Sequence, residues 1–151
     1  MTEIKAIPTG YEGAMPYLIC KNAEQAIDFY KRAFGAEEIL RIGSPGMVGH
    51  AEMRIGKALF MLADEFPPNA LSPETVGGTP VSIYIYVDDV DQFTERAVAE
   101  GLEVIRPVAD QFYGDRSGFF RDPFGHQWGF ATHKEDLTAE ELNERAKTAH
   151  S

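Results

Sequence analysis

The sequence predicts an α+β fold of two tandem βαβββ modules, and three observations predict it. Residues 15–42 and 81–106 carry strand, helix and strand signals in the same order. At an offset of 66 residues Gly35 falls on Gly101, Ile27 on Phe93, Ala33 on Ala99 and Ile39 on Ile105. Between the halves, Pro67, Pro68, Pro73, Gly77 and Gly78 mark a connector without periodicity. Modules at 13–65 and 80–133 joined by 66–79 follow. Each is too small to bury a core alone, so the two must pack together, with a cleft at their junction.

In the first module, residues 15–20 read as a strand, and Asn22 with Gln25 opens a helix. That helix carries Ala26, Ile27, Phe29, Tyr30 and Phe34 at helical spacing, and Gly35 stops it. Strands follow at 37–42, 47–55 and 58–63, the last two joined by a tight turn at Gly56-Lys57. The second module repeats the order: a strand at 81–87, a helix at 89–100, a strand at 103–107, a polar and aromatic loop at 108–116, then strands at 117–121 and 127–132. Thr138 and Glu141 form a capping box for a C-terminal helix at 137–148.

The chain of 151 residues has 44% hydrophobic composition, enough for one domain with a real core. Fourteen basic against 24 acidic residues give a net charge of −10, which argues against a nucleic-acid backbone as partner and favours cationic small molecules. The single cysteine, Cys20, lies in an apolar strand, so disulfide frameworks and multi-cysteine zinc sites are excluded and a buried hydrophobe is expected. Residues 1–13 lack an apolar leader core and no run of about 18 apolar residues occurs, so a cytoplasmic protein without a membrane partner is expected. There is no Ser-His-Asp spacing, no phosphate loop and no unit to hold a nucleotide or adenosyl cofactor.

The paired modules, the run Ala26-Ile27-Asp28-Phe29-Tyr30 before Phe34-Gly35, and Arg121-Asp122-Pro123-Phe124-Gly125-His126 before the last strand resemble the vicinal oxygen chelate superfamily. That superfamily includes glyoxalase I, extradiol dioxygenases and bleomycin-resistance proteins. Gly49-His50-Ala51-Glu52, Asp64-Glu65-Phe66-Pro67, the stretch at 110–116 and Thr132-His133 look like its PhnB-like branch. The resemblance implies a rolled mixed sheet with helices outside and a homodimer. It also implies that metal-bearing members take four ligands from the first and last strands of each module. Those positions fall on Met15 or Pro16, Met61, Ser82 and Gly129, none a good ligand for a divalent cation. No cofactor is therefore expected, with a divalent metal as the lesser alternative; a register slip of three residues would bring in Asp64.

Strand parity supplies the cleft lining independently. If Gly56-Lys57 is a two-residue turn, Ala51, Met53, Ile55, Ala58, Phe60 and Leu62 face the helices, leaving His50, Glu52, Arg54, Leu59 and Met61 in the cleft. In the second module Ser82, Tyr84 and Tyr86 face it, Tyr17 and Gln127 join by the same parity, and Trp128 falls in the core. His50 and Glu52 suit a general acid–base pair or two ligands of a displaced metal, unless Glu52 pairs with Arg54 or Arg116 on an ordinary sheet face. Arg116 aligns with His50 at the repeat offset and is the candidate anion or carbonyl clamp, with Tyr113 and Asp115 in the same loop; alternatively it pairs with Asp115 or Asp110. His126, His133 and His150 read as surface or capping histidines.

The candidate ligand-binding set is thus Tyr17, His50, Glu52, Met61, Ser82, Tyr84, Tyr86, Tyr113, Arg116 and Gln127, with His50 and Glu52 the catalytic candidates. An aromatic cleft in an acidic chain suits a metal-free protein that sequesters an aromatic or cationic compound. The alternatives are a lyase, isomerase or dioxygenase using His50 and Glu52, and a regulatory module with a vestigial cleft.

Overall fold

The computed structural model describes residues 3–149, so His150 lies outside it. Strand β1 (Tyr17–Cys20) leads into α1 (Ala23–Phe34), followed by β2 (Glu37–Ser44), β3 (Met47–Ile55) and β4 (Ala58–Asp64). A one-turn helix α2 (Pro73–Val76) lies in the connector. The second module is β5 (Ser82–Tyr86), α3 (Val90–Ala99), β6 (Glu103–Asp110), β7 (Asp115–Arg121) and β8 (Gln127–His133), and α4 (Ala139–Ala149) closes the chain. The modules form two four-stranded mixed sheets, ordered β1-β4-β3-β2 and β5-β8-β7-β6, with parallel pairing only between first and last strands.

The local signals act as physical chemistry requires. Asn22 Oδ1 accepts the Gln25 N–H, Asp89 Oδ1 accepts the Gln92 N–H, and Thr138 and Glu141 exchange reciprocal capping bonds. Gly35 ends α1 at φ 65°, where a Cβ would cost energy. The β3–β4 hairpin pairs Ile55 with Ala58, Met53 with Phe60 and Ala51 with Leu62, so the apolar set faces α1. Cys20 is fully buried there, and burial pushes its thiol up.

One aromatic core joins the modules. Phe34 of α1 packs against Phe93 of α3 and Trp128 and Phe130 of β8, and Tyr30 touches both Phe60 and Trp128. Buried Asp122, from the Asp-Pro-Phe-Gly turn, accepts hydrogen bonds from Tyr30 Oη at 2.6 Å and Trp128 Nε1 at 2.9 Å. His126 Nε2 donates to the Ile19 carbonyl across the same junction. That turn motif therefore ties the halves together.

The largest boundary difference from the sequence reading is at β6. β6 continues past Pro107 to Asp110, because it is an edge strand and bulges flank Arg106, which lets a proline stay in pairing. β7 consequently begins at Asp115, shortening the expected loop to residues 111–114.

Candidate functional site

On the sheet face turned away from the helices, parity gathers two separate clusters. In the first module Tyr17 of β1 pairs across to Met61 of β4, Met61 to Glu52 of β3, and Glu52 to Leu40 of β2. Glu52 is only 7% exposed and His50 stands two residues before it. Glu52 Oε2 lies 2.8 Å from His50 Nε2, and His50 Nδ1 lies 2.8 Å from Tyr17 Oη. A carboxylate only accepts, so Nε2 carries a proton, and in the neutral imidazole Nδ1 accepts from the phenol. Tyr11 of the N-terminal segment donates to Glu52 Oε1 at 2.5 Å. The hydrogen bonds from Tyr11 and His50 hold the Glu52 carboxyl below its usual range, and the bond to Glu52 pushes Tyr11 up. Glu52 thus pairs with His50, and Arg54 and Arg116 form no ion pair with it.

In the second module Tyr84 pairs across to Gly129 of β8, and Gly129 to Phe119 of β7. Asp115, 6% exposed, accepts from Tyr86 Oη at 2.7 Å, from Tyr84 Oη at 3.4 Å, and from His133 Nδ1 at 2.8 Å. Burial pushes the Asp115 carboxyl up, but the bonds from His133 and Tyr86 outweigh it and hold the group below its usual range. The bond to Asp115, then that to Asp136, raises His133. Burial pushes Tyr84 up to about 12, and the bond to Asp115 raises Tyr86. Nearby, Tyr113 Oη and Ser117 Oγ are 2.9 Å apart, and Ser82 Oγ donates to Gln127 Oε1 at 3.3 Å. Tyr84 and Tyr86 also line a cavity of about 920 Å³ at the seam with the β3–β4 turn, whose wall includes Lys57, Asp88, Asp89 and Arg96. Neither His50 and Glu52 nor Asp115 reaches that cavity, so the hydrogen-bonded chemistry lies on the open sheet face beside it.

Arg116 follows its alternative reading, an arginine paired with Asp110, and is not the clamp on the cleft face. Its side chain turns to the helix side, where Nε and Nη2 bind Asp91 of α3 at 2.8 and 3.0 Å and Nη1 binds Asp110. The cause is a one-residue slip in the repeat. The helices match at 66 residues, but Tyr17 and Tyr84, and Glu52 and Phe119, occupy like places on their sheets at 67. A slip of one exchanges the faces, so the counterpart of His50 is Ser117. An arginine that does reach the second module's cluster on this face is Arg106, whose guanidinium lies 4.9 Å over Phe119 and reaches Ser117 Oγ at 3.1 Å. Sequence reasoning missed Arg106 because Pro107 ended the strand there. It missed Tyr11 because the N-terminal segment has no periodicity, and it took His133 for a surface residue. The sequence reading places Asp115 with Tyr113 in the Arg116 loop, and His133 was findable, being four residues after Gly129 on a strand of alternating parity.

A family model of the glyoxalase/bleomycin resistance protein/dioxygenase superfamily matches residues 14–130. The chain belongs to this superfamily. The uncharacterized protein Mb0911c of Mycobacterium bovis is 39% identical over 132 residues, covering 84% of this chain and 87% of that one. Among solved structures, TioX from Micromonospora sp. ML1 aligns with TM-score 0.66 and 28% identity over 84% of this chain and 100% of its own. The fosfomycin resistance protein FosX from Listeria monocytogenes, crystallised with Mn(II) and a dihydroxypropylphosphonic acid, aligns with TM-score 0.59 and 25% identity over 89% and 98%.

The metal that some superfamily members carry does not fit here. At the positions the resemblance implies stand Met15 or Pro16, the thioether of Met61, the hydroxyl of Ser82 and a glycine, Gly129. A Cβ on Gly129 would meet the Tyr84 ring at 2.6 Å and the Phe119 ring at 2.9 Å, so aromatic side chains fill the space a ligand there would need. Asp64, which a slipped register would supply, instead accepts the backbone N–H groups of Ala23 and Val48, both at 2.7 Å. Among the described residues no group of three His, Cys, Asp or Glu side chains is placed to hold a metal, and no helix is long and apolar enough to cross a membrane.

Proposed function

We propose that this protein is a metal-free small-molecule binding protein that sequesters an aromatic or cationic compound on the tyrosine-walled face of its second module. The observation that carries the reading is Asp115, a carboxylate sunk in the sheet, held ionised, and flanked by Tyr84 and Tyr86 rings 5.5 Å apart. Exposed aromatic faces around an anionic floor attract organic cations by stacking and cation–π contact. A net charge of −10 adds long-range attraction. The proposal includes a homodimer, since Leu40 and Ile42 leave apolar surface exposed on the face beside His50 and Glu52. Calorimetric titration with phenyltrimethylammonium tests the binding reading. Saturable binding that weakens about tenfold in Asp115→Asn, or about 1.4 kcal/mol, is expected; equal affinity in the two proteins would refute it.

A second reading, acid–base catalysis of an isomerase or lyase, is favoured by the Tyr17–His50–Glu52–Tyr11 chain. His50 meets the cleft through Tyr17, whose Oη would take a ligand proton while passing its own to His50 Nδ1 beside the Glu52 carboxylate. An arylsulfonyl fluoride reports this without a known substrate: the phenol oxygen bonds to sulfur, fluoride leaves, and the proton goes to His50 Nδ1. Tyr17 is expected to react at least tenfold faster than the more exposed Tyr86, and to lose that advantage in His50→Gln. Equal rates at the two tyrosines sink this reading.

A further inference from the structure

We propose that Arg106 clamps an oxyanion on the ligand, a carboxylate, phosphonate or sulfonate, at the β6 side of the same tyrosine-walled face. This deepens the binding reading above and rests on it. Arg106 pairs opposite Phe119, and register shifts on both sides of it, toward Val104 and toward Ala109, form the bulges that bring it to this face. Gly118 permits the close approach, since a Cβ there would meet the Arg106 carbonyl oxygen at 2.9 Å and Val108 N at 3.1 Å.

The guanidinium is placed but lacks a counter-charge. Its Nη2 donates to Ser117 Oγ at 3.1 Å and Tyr113 Oη at 3.4 Å, and both acceptors are neutral hydroxyls. Its Nε is buried without a partner, and among the described residues no hydrogen bond engages Nη1. Arg32, Arg41, Arg116, Arg121 and Arg145 each form an ion pair with a carboxylate, whereas among the described residues Arg54, Arg96 and Arg106 form none. Of these three only Arg106 holds a buried guanidinium nitrogen without a partner, in a chain with 24 acidic residues. A partly desolvated guanidinium without an anion has lost hydration and gained little in return, and an oxyanion on its open edge supplies the missing charge in the fork geometry arginine favours.

Asp115 lies two residues before Ser117 on β7, about 7 Å along the strand, so the face carries opposite charges at its two ends. Tyr84 spans the space between them, 6.1 Å from the Phe119 ring and 3.4 Å from Asp115. The ligand class is therefore a small aromatic compound bearing a cationic group toward Asp115 and an acidic group toward Arg106.

Calorimetric titration with two probes, phenylphosphonate and phenyltrimethylammonium, tests the clamp. Wild-type protein should bind phenylphosphonate saturably. Arg106→Gln should weaken it at least tenfold, and Arg106→Lys should recover only part, because a point charge lacks the fork. Arg106→Gln should at the same time tighten phenyltrimethylammonium twofold or more by removing a like charge, an opposite change that loss of folding does not produce. In wild-type protein the Arg106 Nε–H resonance should shift on phenylphosphonate addition, independently of any variant. Phenyltrimethylammonium binding without phenylphosphonate binding, or equal phenylphosphonate affinity in Arg106→Gln, overturns the clamp alone. Failure of both probes overturns the binding reading and the clamp together.

Discussion

Asp115 and His133 form an ion pair whose shifts run in opposite directions. A depressed carboxyl adds stability above its unfolded value near 3.8, lost as pH falls through the folded value. A raised imidazole adds stability that is full below 6.5 and lost as pH rises through the folded value. The pair therefore contributes most between those limits. The gap in urea midpoint between wild-type protein and His133→Gln should be widest near about pH 5 and close as pH rises past His133's raised value. A gap constant across that range would show that the imidazolium is not the stabilising form. At this scale the sequence exposed Tyr17, Tyr84, Tyr86, His50 and Glu52 through simple alternation. It misplaced Arg116 because a single inserted residue between helix and hairpin reverses a strand's faces while leaving its composition unchanged.

Among the elements, β8 and β6 shape the candidate face. Gly129 lets the Tyr84 ring lie flat across β8 toward Phe119. Gly129→Ala should force that ring aside, costing about 1–3 kcal/mol from overpacking and abolishing phenyltrimethylammonium binding; an unchanged denaturation midpoint with intact binding would contradict this geometry. The helices were legible because Asn22, Asp89 and Thr138 act through neighbours three residues away, a purely local interaction. The β3–β4 hairpin was legible because its turn fixes the register and the apolar set follows. The continuation of β6 was not, since only its pairing partner β7 reveals that Pro107 sits in a bulge. The short helix α2, with Ser72 as its cap, is likewise held by a distant contact, Glu65 accepting the Ser72 N–H.

For the whole molecule, the two modules share one core, in which Asp122 of the second bonds Tyr30 of the first and the aromatic cluster around Tyr30, Phe34 and Trp128 draws on both. The internal repeat made the module architecture readable, and the arrangement of side chains within each sheet has since diverged. The first module presents a Tyr–His–Glu chain and the second an Asp–Tyr–His cluster, and no hydrogen bond among the described residues joins them. At the metal positions that the superfamily resemblance implies, this chain has Met15 or Pro16, a thioether, a hydroxyl and packed rings. The central claim is thus binding without a metal. Its most direct test is calorimetric titration of phenyltrimethylammonium into chelator-stripped protein, repeated with excess Mn(II). The account predicts saturable binding with the same Kd in both; binding that appears only after Mn(II) is added would contradict it.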